Sequence, residues 1–455
     1  MVAPSAAAIA GQALRRQARD MKVLLVTFGS RGDVHPMLGL GRALQARGHQ
    51  AMLLSNPVFR EEAVRAGLAF VPVGTEEEYR KMLAHPKLWH PIDGLGVMWR
   101  YLLRPALRPT YAVLHGLCQP SSGAASGKKG PLVVASPLAM GARVAQEKLG
   151  IQLVTAYTSA TLLRTVQDPL TIAKWHVPPV VPLWVRQGVW KLLDKAKLDP
   201  LVKPALESLR RELALPPMGP AAGAVFDRWM HSPLGGLTLF PKWFAPTPPD
   251  WPAQVMRGTF PIYDDIVEGA AGALNGPTAL DAGLKRFLDT GPAPVVFMPG
   301  SAQQAGEGFF RSAIEACQRL GVRGVLLGHL GALAAKKLPD YVWAAPYHPF
   351  GSLLPRARAI VHHGGVGTCA QALRAGLAQL VWPQAYDQFD NAMRLEQLGV
   401  GLSLKADPVT SHELAAGIDR LLSSAAVQQA CLQWAGRLTP APGLDEVCQW
   451  LEQLA

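Results

Sequence analysis

The sequence predicts an α/β protein of two Rossmann-like halves, each a doubly wound parallel sheet, facing one another across a central cleft. Three observations carry this. The apolar, β-rich run Lys22 to Phe28 leads directly into a glycine-rich turn, Gly29-Ser30-Arg31-Gly32-Asp33, and then a helical pattern. Strands and helices keep alternating after it, which is the signature of βαβ units. A second series of the same kind starts near Val295, beyond a proline-rich stretch from Pro246 to Pro261.

The elements follow in order. Residues 1–20 are Ala-rich and carry Arg15, Arg16 and Arg19, without the basic-then-apolar order of a secretory signal. They are expected to be a dispensable extension, with the periodic pattern beginning at Met21. After the first turn, Pro36 is expected to open a helix carrying Leu38, Leu40, Ala43 and Leu44, which Gly48 stops. Gln50 to Ser55 and Phe70 to Val73 read as strands around a short helix from Phe59 to Ala66. Pro131 to Ser136 and Gln152 to Ala156 continue the sheet, after a Ser/Gly/Lys-rich surface loop at Pro120 to Gly130. From Val166 to Leu215 prolines and tryptophans break the pattern, and helices and loops are expected rather than sheet. Leu237 to Phe240 reads as the last strand of this half.

In the second half, Val295 to Met298, Gly324 to Leu327, Ala359 to Val361 and Gln379 to Trp382 read as strands. Phe309 to Leu320, Thr368 to Ala375 and Asn391 to Leu398 read as helices. The expected division is a first domain over 21–245, a linker over 246–262, a second domain over 263–440, and a terminal helix over 441–455. That helix is a candidate to pack back on the first domain.

Composition narrows the function. A length of 455 residues that is 49% hydrophobic supports two domains with cores of their own. Lys and Arg number 45 against 33 Asp and Glu, so the net charge is +12 and favours anionic partners such as nucleotide phosphates or an acidic membrane surface. Nucleic acid is not expected, because helix-turn-helix, zinc-spacing and aromatic RNA-binding signals are missing. The 5 cysteines are scattered without a CxxC pair, which suits a reduced compartment. No apolar run reaches membrane-spanning length, and a cytoplasmic location is expected.

The sharpest motif is His362-His363-Gly364-Gly365-Val366-Gly367-Thr368, followed by Asp387-Gln388-Phe389-Asp390-Asn391. A glycine turn between strand and helix presents backbone N–H groups at a helix N-terminus, where a diphosphate can approach closely. His363 and Thr368 are suited to add donors, and Asp387 and Gln388 to meet sugar hydroxyls. A Gly-rich loop alone is more often just a tight turn; the loop, both histidines and the DQxxN tail together favour the phosphate reading.

These residues resemble the nucleotide-sugar signature of family-1 glycosyltransferases of the GT-B fold. Gly29 to Pro36 (GSRGDVHP) resembles the acceptor-side turn of the bacterial and sterol members. Pro86-Lys87-Leu88-Trp89, Trp229 to Pro233, Trp243 to Pro246 and Asp387 to Ala392 resemble the rhamnosyltransferases of rhamnolipid biosynthesis, a likeness covering nearly the whole chain after Met21.

The resemblance implies roles. Asp33 falls where the family places a catalytic base; a helix N-cap is the alternative, and His35 is the second candidate base. Plant members have a histidine there, supported by a downstream aspartate whose place here falls on Ser136. Gly32 and Arg31 lie on the acceptor side, with Arg31 suited to an acceptor carboxylate. Ser301, His363, Gly365, Val366, Gly367 and Thr368 would hold the donor diphosphate, and Asp387 and Gln388 the sugar. Tyr347 would stack on the base, with His348 backbone groups at its edge, and Gln371 would lie near the ribose. Many members carry glutamate at that last place; glutamine leans toward a 2′-deoxyribose donor. No metal and no cofactor are expected beyond the nucleotide sugar as co-substrate.

The implied reaction is inverting transfer of L-rhamnose from dTDP-L-rhamnose to the hydroxyl of a 3-(3-hydroxyalkanoyloxy)alkanoic acid. UDP-glucose-dependent transfer to a sterol, polyketide or other hydrophobic acceptor is the alternative. A nucleotide-sugar epimerase and a non-catalytic partner protein are readings from other classes. Trp99 to Tyr111 and Trp184 to Leu198 are apolar and basic together, suited to roof a greasy pocket, to lie on the inner membrane surface, or to be ordinary amphipathic helices. Contact with the acyltransferase that makes the lipid acceptor is a further expected partnership.

Overall fold

The computed structural model describes residues 21–119, 130–167, 170–172, 175–178, 180–219, 223–264, 280–300, 306–405, 408–438 and 443–455. The expected extension over 1–20, most of the loop at 120–130, and Ser301 lie outside the described residues.

The first domain is built on β1 (Lys22–Val26), α1 (Arg31–Ala46), β2 (Gln50–Ser55), α2 (Arg60–Arg65), β3 (Ala69–Pro72), β4 (Leu132–Ala135), α3 (Met140–Leu149) and β5 (Leu153–Tyr157). A small antiparallel hairpin, β6 (Leu170–Ile172) with β7 (Trp175–Val177), and α4 (Leu183–Leu193) follow, then β8 (Gly236–Thr238) and β9 (Val255–Arg257). The sheet order is β3-β2-β1-β4-β5-β8-β9, parallel throughout. Its central strands are unbroken apolar runs because helices cover both faces; every residue of β4 and β5 is buried.

The second domain contains β10 (Val295–Met298), α5 (Gly306–Leu320), β11 (Gly324–Leu327), β12 (Val342–Ala345), β13 (Ala359–His362) and α6 (Val366–Arg374). It ends with β14 (Ala378–Val381), α7 (Gln388–Gln397), β15 (Gly401–Ser403) and α8 (Ser411–Ser423), and α9 (Asp445–Leu454) closes the chain. Its parallel sheet runs β12-β11-β10-β13-β14-β15.

Each sheet reverses its strand order once, between β1 and β4 in the first and between β10 and β13 in the second. Ligands of open parallel sheets bind beyond the strand carboxyl ends at such switch points. The turn holding Asp33 leaves β1, and the turn holding His363 leaves β13, so connectivity alone puts both motifs on the cleft.

Three expectations need correction. Helix α1 starts at Arg31, a full turn before Pro36, because Ser30 caps it: its hydroxyl accepts the Gly32 N–H at 3.2 Å. The expected linker 246–262 contains β9, which pairs with β8 as the last strand of the first sheet. At three residues between prolines, β9 has no periodicity to reveal it. The same shortness hid the hairpin β6–β7 in a region expected to be helix and loop.

Helix α9 lies on the first domain. Val447, Cys448 and Leu451 join its core. Glu452 accepts from Arg47 Nε at 2.7 Å and pairs with His49 Nε2 at 2.8 Å. An aromatic cluster around Phe240, Phe244, Trp251 and Phe260 shares one apolar core with the second domain, and Trp243 stacks on Trp434 at 4.8 Å.

Candidate active site

The turn after β1 is shaped around one carboxylate. Asp33 occupies the third position of α1, and its Oδ2 accepts the Ser30 N–H at 2.9 Å, completing a reciprocal capping box with the Ser30 side chain. It is therefore not the N-cap of a helix starting at Pro36. Gly29 makes the geometry possible, since a β-carbon there would land on the Asp33 carboxylate. Burial pushes the Asp33 carboxyl up to about 6, against the stabilising hydrogen bonds from Ser30 and Thr158. Ser136, at the neighbouring end of β4, is buried and donates its N–H to Val26 O at 2.8 Å. A hydroxyl from Thr158, rather than a second carboxylate, supports Asp33.

His35 and Arg31 share a different partner. Buried Glu62 on α2 takes Arg31 Nε at 2.8 Å and His35 Nε2 at 2.9 Å. Burial alone would raise the Glu62 carboxyl, yet the His35 hydrogen bond and the Arg31 charge hold it below the usual range. The His35 ring meets Tyr263 edge-on at 5.1 Å. Arg31 lies within electrostatic reach of Tyr347, on the second domain. Arg31 is thus ion-paired with Glu62, its side chain still partly exposed. Gly32 sits in the first turn of α1, where its N–H goes to the cap.

The loop after β13 divides its two histidines. His362 is fully buried; its Nδ1 accepts the Gly364 N–H at 3.1 Å and its Nε2 faces Gln379 Oε1 at 3.0 Å, so the proton sits on Nε2. Burial drives its pKa down to about 3, and its work is to shape the loop. His363 is also held neutral by burial, at about 4. Its ring lies over Gly365, where a β-carbon would come within 2.6 Å of Nε2. Its Nδ1 is buried without a hydrogen-bond partner among the described residues. Val366, Gly367 and Thr368 form the first turn of α6, whose N–H groups have no acceptor within the helix. An orphaned imidazole nitrogen beside free helix N–H groups is a donor set that fits a diphosphate.

The loop before α7 closes the cradle. Asn391 Nδ2 donates to Gly364 O and to Asp387 Oδ2, both at 2.9 Å, tying the DQxxN tail to the glycine loop. Gln388 Oε1 accepts the N–H groups of Gln384 and Ala385 at 2.8 and 3.1 Å, so its carbonyl shapes the loop. Asp387 is pushed up to about 7, first by burial and next by the negative charge of Asp33. The charge of Asp33, on the first domain, thus reaches Asp387 on the second. Among the described residues no group of three or more His, Cys, Asp or Glu side chains is placed to hold a metal ion.

Comparison with known proteins agrees with this geometry. Residues 23–167 match the Glycosyltransferase family 28 N-terminal domain, and residues 329–454 the Erythromycin biosynthesis protein CIII-like, C-terminal domain. The crystal structure of the glycosyltransferase VinC in complex with dTDP superposes with a TM-score of 0.64 at 21% identity, over 95% of this chain and 99% of that one. The chain is 30% identical to glycosyltransferase GtfC of Amycolatopsis orientalis over 409 residues, covering 89% of this chain and 90% of that one. It belongs to this family of GT-B glycosyltransferases.

The glycosyltransferase is also 26% identical over 412 residues to a sterol 3-beta-glucosyltransferase of Arabidopsis thaliana, spanning 88% of this chain but only 61% of the plant enzyme. As a member of the family it takes a nucleotide sugar as co-substrate. Tyr347 is 44% exposed in the loop after β12, while His348 is buried with its pKa lowered by that burial. Gln371 Nε2 reaches the Tyr263 carbonyl at 3.4 Å, so one end of its amide is directed at the crossing between domains. Three residues of the enzyme's cleft escaped the sequence reading. Glu62 looked like a surface charge on a short helix, Thr158 follows a buried strand without a motif, and Tyr386 merely precedes Asp387. Only Thr158 offered a signal: a hydroxyl at a strand's carboxyl end, level with the Asp33 turn.

Proposed function

We propose that this glycosyltransferase moves L-rhamnose from dTDP-L-rhamnose to the free hydroxyl of a lipid acceptor such as a 3-(3-hydroxyalkanoyloxy)alkanoic acid, with inversion at the anomeric carbon. The observation that carries the chemistry is the buried, unpartnered Nδ1 of His363 beside the N–H groups that open α6. In the proposed reaction the Asp33 carboxylate takes the proton of the acceptor hydroxyl as its oxygen bonds to the anomeric carbon. The bond from that carbon to the diphosphate breaks, and the leaving group departs with the electron pair. Its charge is met by His363 and the N–H groups of Val366, Gly367 and Thr368, with Ser301 a further candidate from the neighbouring turn. A neutral imidazole suits this task, since it donates a hydrogen bond without demanding a counter-charge beforehand. Attack and departure on opposite faces invert the sugar.

Asp387 and the Gln388 amide are assigned to the sugar hydroxyls. Tyr347 is assigned as the platform for the base, with His348 at its edge and Gln371 near the ribose. Glutamine there, with its nitrogen already directed at Tyr263, leaves one acceptor oxygen, which suits a deoxyribose. The alternative, glucose from UDP-glucose to a sterol-like acceptor, is favoured by the likeness to the plant sterol enzyme.

The acceptor is insoluble enough to be collected from a membrane, and one face of the first domain fits that. Around α4, Val180 and Trp184 are 85% and 75% exposed and Leu183 and Leu192 are exposed too, beside exposed Lys191, Lys195 and Lys197. Among the described residues no helix is long and apolar enough to cross a membrane. The proposal is peripheral contact with the anionic inner membrane surface from the cytoplasm. The acyltransferase that supplies the acceptor is the competing occupant of this face.

The test is incubation of purified protein with dTDP-L-rhamnose or UDP-glucose and with hydroxyalkanoyloxyalkanoic acid or a sterol, products being identified by mass. A rhamnosylated lipid is the expected product. Product from UDP-glucose and sterol alone would overturn the rhamnolipid assignment in favour of the alternative. Interconversion of donor sugars without acceptor would favour an epimerase.

A further inference from the structure

Tyr386 holds a backbone conformation that a side chain disfavours. Its φ is +58°, a value shared among the described non-glycine residues only by Ala214. Glycine would adopt it freely, whereas a tyrosine does so at a cost in free energy. Strain of this kind persists where surrounding contacts over-determine it, and here the contacts are visible.

The Tyr386 hydroxyl crosses the cleft and donates to the Leu88 carbonyl at 2.6 Å. Its ring meets Trp89 edge-on, with centroids 5.9 Å apart. Gly94 leaves the space for it, since a β-carbon there would come within 2.9 Å of the hydroxyl oxygen. The phenol is pushed far above its ordinary pKa, first by burial and then by the negative charge of Asp33, so it remains a donor. Tyr386 thus belongs to the donor-side loop, is bolted to the acceptor-side turn, and lies within electrostatic reach of Asp33. Its next neighbour in the chain is Asp387, the donor-side carboxylate.

A contact serving only to join two domains needs no strained residue at the reaction centre; the stack of Trp243 on Trp434 already provides one at the hinge. We propose that Tyr386 is a positioning residue that clamps the turn Leu88–Gly94 onto the donor loop. The clamp seals the anomeric carbon from water and forms the wall against which the acceptor is placed. This rests on the glycosyl-transfer reading but not on which sugar or lipid is used.

The test uses Tyr386→Phe, which keeps ring and strain but loses the bridge, and Tyr386→Gly, which relieves the strain and opens the wall. Three quantities are measured: melting temperature, acceptor KM, and nucleoside diphosphate released without acceptor, using whichever of dTDP-rhamnose and UDP-glucose the wild type consumes. Tyr386→Phe is expected to raise acceptor KM about fivefold, the worth of one hydrogen bond, and to increase donor hydrolysis relative to transfer. Tyr386→Gly, which also loses the ring packed on the first domain's core, should melt lower and hydrolyse still more donor. Wild-type partition between water and acceptor in folded Tyr386→Phe would overturn the proposal, whether or not the glycine variant folds. A lowered melting temperature with unchanged partition would make Tyr386 a domain stitch only. Failure of the wild type to consume either donor would instead count against the donor assignment.

Discussion

Asp33, in the first turn of a helix of one domain, and Asp387, in a loop of the other, come close enough for the charge of the first to help push the second up to about 7. Asp33 itself is raised to about 6, chiefly by burial. Burial thus lifts both carboxyls, that of Asp387 further than that of Asp33. In the proposed reaction Asp33, the less raised of the two, is the base.

Replacing Asp33 with Asn should cost about a hundred- to ten-thousandfold in turnover, because the amide cannot take the acceptor proton. The amide oxygen can still accept the Ser30 N–H, so the helix cap and melting temperature should hold. Nucleotide affinity should persist, since the diphosphate cradle lies in the other domain. Turnover and nucleotide affinity on the same variant check this, and near-normal turnover would remove Asp33 as the base.

The pH profile follows from the same pair. A base must be ionised, so turnover should rise with pH through about 6. Asp387, raised to about 7, is mostly protonated and uncharged while Asp33 titrates, so Asp387→Asn should leave that rise near about 6. Stability should move the opposite way. Both carboxyls bind protons more tightly in the folded chain than their unfolded value of about 4. The folded state therefore holds more protons between about 4 and the raised values, and stability falls as pH increases through that window. Melting temperatures across the window should decline for the wild type and less steeply for Asp387→Asn, where Asp33 alone remains; a flat wild-type curve would contradict the burial of these groups.

His363→Ala should lower turnover about ten- to a thousandfold, as for loss of one donor to a developing anion. His362→Ala should instead lower stability by about 1–3 kcal/mol, since it orphans the Gly364 N–H and Gln379 inside the domain. Reversed phenotypes, with His362 governing turnover and His363 governing melting, would show the two rings to have been assigned the wrong tasks.

Removal of residues 1–20 should leave turnover and melting temperature unchanged, because the periodic pattern of the first sheet starts with β1 at Lys22. A fall in melting temperature would make that segment part of the fold.

What was legible in the sequence depended on length and periodicity. Buried strands such as Lys22–Val26 and Ala359–His362 are continuous apolar runs closed by glycines, and they announce themselves. Strand β9 has three residues and no such run, so its stretch read as linker. Pro36 drew the start of α1 toward itself, although Ser30 and Asp33 already spell a reciprocal cap one turn earlier. The glycine-rich loop after β13 was legible because its close approaches need glycines at set places. The side chains that tune it were not: Glu62 and Tyr386 act through partners distant in sequence, Arg31, His35 and Leu88. Local pattern carries no trace of such pairings.

Glu62 offers the sharpest separation between the two candidate bases. If His35 takes the acceptor proton, Glu62 is its orienting carboxylate, and Glu62→Gln should reduce turnover by orders of magnitude, as removal of a histidine's carboxylate partner does in a catalytic triad. If Asp33 takes the proton, Glu62 is an anchor. It holds Arg31 near Tyr347, its carbonyl accepts the Tyr263 hydroxyl at 3.4 Å, and the Tyr263 carbonyl in turn receives Gln371 at 3.4 Å. That chain ends at the nucleotide side, not at the acceptor hydroxyl. Glu62→Gln should then lower stability by about 1–3 kcal/mol through the lost charge-assisted bonds. Donor KM should rise several-fold while turnover at saturating donor stays within about threefold of wild type, the pattern of an interaction equal in ground and transition states. The KM-against-kcat split measured for Glu62→Gln beside Asp33→Asn decides between the two; collapse of kcat in Glu62→Gln alone would hand the base to His35.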